Sequence, residues 1–238
     1  MSRQREFTHT IADWATPIWQ DPDPDLSPKR RRKVEQVKCG ILHTTGYGPG
    51  VKRLDKSDLS PAEIDLAYAQ RMANILEYKG HLFIGRTGGV WQMMPLSYVG
   101  YHTGSSKRGK YKSAAWLKVR GKDMAWWQER FPSLRGPLDL PAWEKNSPNK
   151  VAWGIDFLAP KPGEPYTDEQ YRSGAKVVVR CARICGHHIN DWRITTHSDV
   201  HPLDRTNKFG PWDLGKRWDR ERFWRMVREE IDREGVAS

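Results

Sequence analysis

Two histidines and a carboxylate in this sequence stand where the catalytic side chains of an α/β sheet collect. His43 follows the apolar run Ile41-Leu42, His197 follows Ile194-Thr195-Thr196, and Asp156 closes Trp153-Gly154-Ile155. Strand ends in open α/β sheets gather around one crevice, so residues far apart in the chain converge there. Two imidazoles and a carboxylate with one coordination position open form a catalytic zinc set. Zinc held in this way makes water a nucleophile near neutral pH and polarises a carbonyl, which suits amide hydrolysis. Asp199, Asp204 and Asp213 follow His197 in one polar loop and supply candidate carboxylates. On residue type alone a second reading stays open. A histidine at a strand end is commonly a hydrogen-bonded structural residue, and with 8 histidines a chance pair is easy to find.

The elements that would position these residues are legible as periodicity and punctuation. Val37 to Thr45 is a short apolar run ending in a polar turn, as expected of a buried strand. Ser60-Pro61-Ala62-Glu63 supplies an N-cap, a proline at the first helical position and a capping-box glutamate, predicting a helix to about Tyr78 closed by Gly80. The runs from His81 to Arg86 and from Val90 to Met94 flank Thr87-Gly88-Gly89 and read as a hairpin. Val151 to Ala159 is a further buried strand, and Thr167 to Gln170 is a second capping box opening a helix with apolar positions at Tyr171, Ala175, Val178, Val179 and Ala182. A short strand from Arg193 to Thr196 follows, and Asp219 opens a last amphipathic helix carrying Phe223, Met226, Val227 and Ile231. Strands alternating with helices predict an α/β domain, a sheet covered by helices.

Residues 1–36 read as a basic, Pro-containing N-terminal extension, 37–235 as the domain, and about 103–148 as an irregular insertion with a short helix near Met124 to Arg130. In the extension, the run Lys29 to Lys33 reads as a solvated linker or an electrostatic tether, and Trp14 and Trp19 suggest local docking through aromatics. The 12 Trp residues compensate for a hydrophobic content of 37%, and a domain of this size needs no covalent staples. Cys39, Cys181 and Cys185 form no CxxC cluster, and the last two, one helical turn apart, read as small buried residues. A formal net charge of +11 points to a polyanionic partner, whether nucleic acid, cell-wall polymer or a membrane surface. No apolar run is long enough for a membrane span, and the first twenty residues lack the apolar stretch of a signal peptide, so synthesis in the cytoplasm is expected. His187 and His188 lie at a helix end, where a cationic histidine is favoured, and receive no functional role.

In order and content these motifs resemble the zinc-dependent N-acetylmuramoyl-L-alanine amidases, the group that includes peptidoglycan recognition proteins and phage amidase lysins. The resemblance covers roughly Val37 to Ile231. Ile41-Leu42-His43-Thr44-Thr45 looks like the family's first-ligand strand, His81 to Gln92 like its hairpin, and Val99 to Gly104 like the following substrate-side segment. Trp153-Gly154-Ile155-Asp156 resembles a segment in which many members carry a catalytic glutamate, one methylene longer than the aspartate here. The run Tyr166 to Tyr171 is similar to the start of the penultimate helix, and Ile194 to Asp199 to the second-ligand motif.

The resemblance implies a mixed central β-sheet flanked by helices and a Zn2+ cofactor on His43, His197 and Asp213. Asn207 is the alternative at the third position, because the family spacing of ten residues after the second histidine lands there, while Asp213-Leu214-Gly215 better resembles the family's Asp-Pro-Gly and requires a longer loop. Asp156 is expected to deprotonate the attacking water, with Lys208 or Arg205 near the oxyanion. His102 and Tyr101 are expected to contact substrate; His81 is placed with them, its position also suiting it to orient the hairpin. Asp199 and His201 could support the metal-bound His197 through its other ring nitrogen. The implied partner is bacterial peptidoglycan, with no nucleic acid, no membrane span and a monomer favoured. The implied setting is a phage lysin or virion component acting on the wall after release, or a cytosolic wall-recycling enzyme. Two rivals are a non-catalytic peptidoglycan-binding module and, ranked lower, a nucleic-acid-binding protein.

Overall fold

Short apolar runs rich in β-branched and aromatic residues form the sheet, and capped amphipathic segments form its cover. The structure, a computed structural model, describes residues 11–18, 32–46, 48–74, 80–100, 148–190, 193–197, 206–207, 210–211 and 214–235. The strands are β1 (Thr16–Pro17), β2 (Cys39–Thr44), β3 (Leu82–Ile84), β4 (Val90–Gln92), β5 (Ala152–Phe157), β6 (Ile194–Thr196), β7 (Thr206–Asn207) and β8 (Gly210–Pro211). The helices are α1 (Pro49–Leu54), α2 (Pro61–Ala73), α3 (Pro148–Val151), α4 (Asp168–Cys185) and α5 (Arg220–Glu234). The first six strands form one mixed sheet in the order β1-β4-β3-β5-β2-β6, and β7 pairs with β8 apart from it. Strands β3, β5, β2 and β6 are mutually parallel; β4 turns back antiparallel on β3, and β1 runs parallel to β4.

Parallel strands are covered on both faces and therefore read as continuous apolar runs; every residue of β5 is buried. On one face Leu42, Leu82, Trp153, Ile155 and Phe157 pack against Tyr171, Ala175 and Val178 of α4 and Phe223 and Val227 of α5. On the other, Phe83, Trp91, Met93 and Leu158 pack against Val51 of α1 and Tyr68 and Ala69 of α2. Side chains alternate along a strand, so residues in register with Phe83 face α1 and α2.

Local chemistry sets the helix ends. The Ser60 hydroxyl accepts from the Glu63 N–H and the Glu63 carboxylate accepts from the Ser60 N–H, while Thr167 and Gln170 make the same reciprocal pair at α4. Hydrogen bonding from Ser60 holds the Glu63 carboxyl below its ordinary range. Helix α2 ends at Ala73, with Asn74 capping it through its N–H to the Gln70 and Arg71 carbonyls, short of the expected Tyr78. Residues 75–79 and most of the insertion, including its expected helix, lie outside the described residues.

Parts of the segment read as an N-terminal extension pack onto the domain. Ile11 and Ala15 are buried, the Ile11 N–H donates to Gln92 Oε1 at 3.2 Å, and β1 lengthens the sheet beyond β4. Ile11 and Ala15 make this docking contact while Trp14 is 42% exposed; Trp19 lies outside the described residues. Arg32, at the end of the basic run, is buried rather than solvated. Its Nε donates to the Leu96 carbonyl at 3.0 Å and its Nη1 to the Asn149 carbonyl at 2.9 Å. Burial lowers its pKa to about 10.

Behind the sheet, Gly40 lets the Trp153 ring lie flat on β2, since a Cβ there would stand 2.1 Å from Trp153 Cη2. The seated indole donates from Nε1 to His187 Nε2 at 3.1 Å, and His187 Nδ1 donates to the His188 carbonyl at 3.0 Å. Both ring nitrogens are thereby engaged in a neutral tautomer, and burial lowers the His187 pKa to about 4. The cation expected from the helix end is therefore absent at His187, because desolvation outweighs the favourable helix terminus. Cys39, Cys181 and Cys185 are buried thiols outside any disulfide, and burial pushes the Cys185 thiol up to about 12.

Candidate active site

Register brings the chemistry-bearing residues of three strands together. In the β2–β5 pairing His43 lies opposite Asp156, and in the β5–β3 pairing Asp156 lies opposite Phe83. On the other side of β2, Leu42 lies opposite Thr196, so His197, the next residue, comes level with His43. The expected convergence of His43, Asp156 and His197 at adjacent strand ends is thus a consequence of sheet order β5-β2-β6.

The two imidazoles meet edge to face, with centroids 4.7 Å apart and planes at 75°. Their Nδ1 atoms are 3.0 Å apart and both side chains are buried. Without a metal, one Nδ1 must donate and the other accept, so the pair cannot carry protons on both facing nitrogens. The same separation suits a shared cation. Two nitrogens each ~2.0–2.1 Å from a tetrahedral zinc stand roughly 3.3 Å apart. The chemistry of this donor pair therefore fits zinc. Among the described residues no group of three His, Cys, Asp or Glu is placed to hold a metal ion; Asp213 lies outside the described residues, and Asn207 is described in its backbone, within β7.

Asp156 is buried beside the pair, on the face covered by α2. There Tyr68 approaches from the helix. Burial raises its phenol above the ordinary range, the Thr45 hydrogen bond and the Arg71 charge pull it back, and the charge of Asp156 pushes it up again. Thr45 also accepts from the Ala159 N–H at 3.1 Å, which ties the end of β5 to the end of β2. Tyr68 and Thr45 are site residues that the strand-end motifs did not single out. The available signal was helical spacing, since Ile64, Asp65, Tyr68 and Ala69 form the buried stripe of α2.

His81 is held within the fold rather than open to solvent. It is wholly buried, its Nδ1 accepts from the Gly154 N–H at 3.1 Å, and its Nε2 lies 3.0 Å from the Tyr98 carbonyl. These bonds fasten the start of the hairpin to β5. Tyr101, His102, Asp199, His201, Arg205 and Lys208 lie outside the described residues, as do the basic residues Lys107, Arg108, Lys110 and Lys112 of the insertion.

A mixed sheet with helices on both faces and two facing histidines at its strand ends defines an α/β domain of the amidase and peptidoglycan-recognition type. The sequence pattern described as N-acetylmuramoyl-L-alanine amidase matches residues 33–211, and the chain belongs to that family. Among solved structures it is similar to the hydrolase AmiA of Staphylococcus aureus, at 10% identity and a TM-score of 0.50, covering 94% of this chain and 86% of that one. It is also similar to AmpD of Citrobacter freundii, at 20% identity and a TM-score of 0.42, covering 90% and 91%. The amidase LysC of Clostridium intestinale matches at 16% identity and a TM-score of 0.38, covering 85% and 89%. A comparison with curated proteins gives no match. Peptidoglycan is the substrate class that fits the family. No helix among the described residues is long and apolar enough to cross a membrane.

Proposed function

We propose that this chain is a zinc-dependent N-acetylmuramoyl-L-alanine amidase that hydrolyses the amide between the lactyl group of N-acetylmuramic acid and the L-alanine of the stem peptide. The observation that carries the reading is the buried His43–His197 pair, with Nδ1 atoms 3.0 Å apart, in a chain of the amidase family. His43 and His197 would hold the metal with Asp213 as third ligand, Asn207 being the alternative. A zinc ion held there would supply Lewis acidity toward the scissile carbonyl and a lowered pKa for water. Asp156 takes a proton from the attacking water and passes it to the departing alanine amine. Tyr68, a neutral phenol whose pKa burial raises further, donates a hydrogen bond to the developing oxyanion, and Lys208 or Arg205 adds positive charge there. Tyr101 and His102 contact the glycan or stem. The setting that we propose is a phage lysin, a reading supported by the basic N-terminal segment and the net charge of +11.

Purified wall supplies the test. The wild-type protein is expected to release stem peptides with free L-alanine amino termini. His43→Ala and His197→Ala, folded by circular dichroism, are expected to lose both bound zinc and hydrolysis. Unchanged turnover in either variant overturns the assignment; wall binding without hydrolysis by the zinc-loaded wild type identifies a recognition module instead.

A further inference from the structure

The carboxylate of Asp156 rests against a bare backbone. A Cβ built on Gly80 would stand 2.2 Å from Asp156 Oδ2 and 3.2 Å from its Cγ, with the Gly154 carbonyl at 3.3 Å. Two heavy atoms cannot share that space, so the carboxylate occupies a place that any other residue at position 80 would fill. The backbone at Gly80 lies outside the left-handed region, since the positive-φ glycines among the described residues are 46, 88, 163, 186, 215 and 235. Conformational freedom therefore does not demand glycine here; close approach does.

What must yield is also defined. Gly80 is followed by His81, whose N–H donates to the Gly154 carbonyl at 2.9 Å and whose Nδ1 accepts from the Gly154 N–H at 3.1 Å. Position 80 is thus fixed to β5 two residues from Asp156, and the backbone cannot back away without breaking that clamp. Asp156 has two side-chain torsions, so a Cβ at position 80 would displace the far end of its side chain. We infer that Gly80 is a positioning residue for Asp156: its missing side chain forms the seat that aims the carboxylate along the face shared with His43. The inference rests on the proposed role of Asp156, and it adds a determinant outside the chemistry-bearing residues.

Gly80→Ala is expected to fold, to bind zinc and to leave KM for a soluble muropeptide unchanged. It is expected to lower kcat by about 100-fold, the scale of a misplaced catalytic group. Asp156→Ala alone is expected to lose roughly 10²–10⁴-fold. If Gly80 acts through Asp156, the double variant is no slower than Asp156→Ala, whereas independent effects multiply. A crystal structure of metal-free Gly80→Ala gives a readout that does not depend on turnover, with the Asp156 carboxylate rotated off its wild-type position. An undisplaced carboxylate, or multiplicative losses in the double variant, overturns the inference. Wild-type kcat retained in Asp156→Ala would instead overturn the role of Asp156, while the crystal structure would still decide whether Gly80 seats it.

Discussion

His43 and His197 are each sequestered from water, and a buried imidazole pair at 3.0 Å is held at a separation close to that of two ligands on one ion. Such a pre-formed pair spares the ordering of two side chains when metal arrives, so binding couples directly to stability. A ligand at 1,000 times its Kd stabilises the folded state by about 4 kcal/mol, which for a domain of this size raises Tm by roughly 8–16 °C. Excess zinc is expected to give a rise of that order in the wild type and little in His43→Ala. Equal rises in both proteins would mean that zinc binds elsewhere. Asp156 needs a different account, because its placement depends on Gly80 and on strand register rather than on a metal.

At the scale of elements, the His187–Trp153 bond joins the end of α4 to β5, across the sheet from the site. Its pH dependence follows from the depressed pKa. As pH falls below the ordinary value of 6.5, the unfolded chain takes up a proton that folded His187 refuses until about 4. Stability is therefore full above 6.5, declines as pH falls through this window, and has lost up to about 3 kcal/mol by pH 4. His187→Gln keeps an acceptor for the indole without a titrating group. Urea unfolding at pH 7 and pH 4.5 is expected to show a smaller loss in the variant than in the wild type, and parallel losses would refute the coupling. Strands β2, β5 and β6, both capping boxes and α5 were legible in the sequence because each is encoded locally, by an apolar run or by a cap. The packed part of the N-terminal segment was not, since β1 is two residues long and its pairing with β4 is visible only once the sheet exists. The state of His187 escapes local pattern for a related reason: a helix end is readable from sequence, but the indole packed on the ring belongs to a residue 34 positions away. Likewise His43, His197 and Asp156 were legible as strand-end residues and Tyr68 as part of a buried helical stripe, while the nearness of Tyr68 and Gly80 to Asp156 arises only from the tertiary fold.

For the whole molecule, the charge of +11 and the buried pair act over different distances and should separate under salt. Attraction between this surface and an anionic wall polymer is screened within a Debye length of about 8 Å at physiological salt and about 3 Å at 1 M. The chemistry proposed for His43, His197 and Asp156 would take place among buried groups, where mobile ions penetrate poorly. Raising salt from 0.15 to 1 M is therefore expected to weaken sedimentation with purified wall by roughly tenfold or more, while kcat on a short uncharged muropeptide changes little. Walls stripped of their anionic polymer should bind weakly at low salt and lose the salt dependence. If stripped and intact walls bind equally, the positive charge serves some other partner. Duplex or single-stranded nucleic acid retained at moderate salt would then name it, because such binding weakens with the logarithm of salt in proportion to the phosphates neutralised. Electrostatics would on the first outcome bring the enzyme to the wall, leaving the choice of bond to the strand ends.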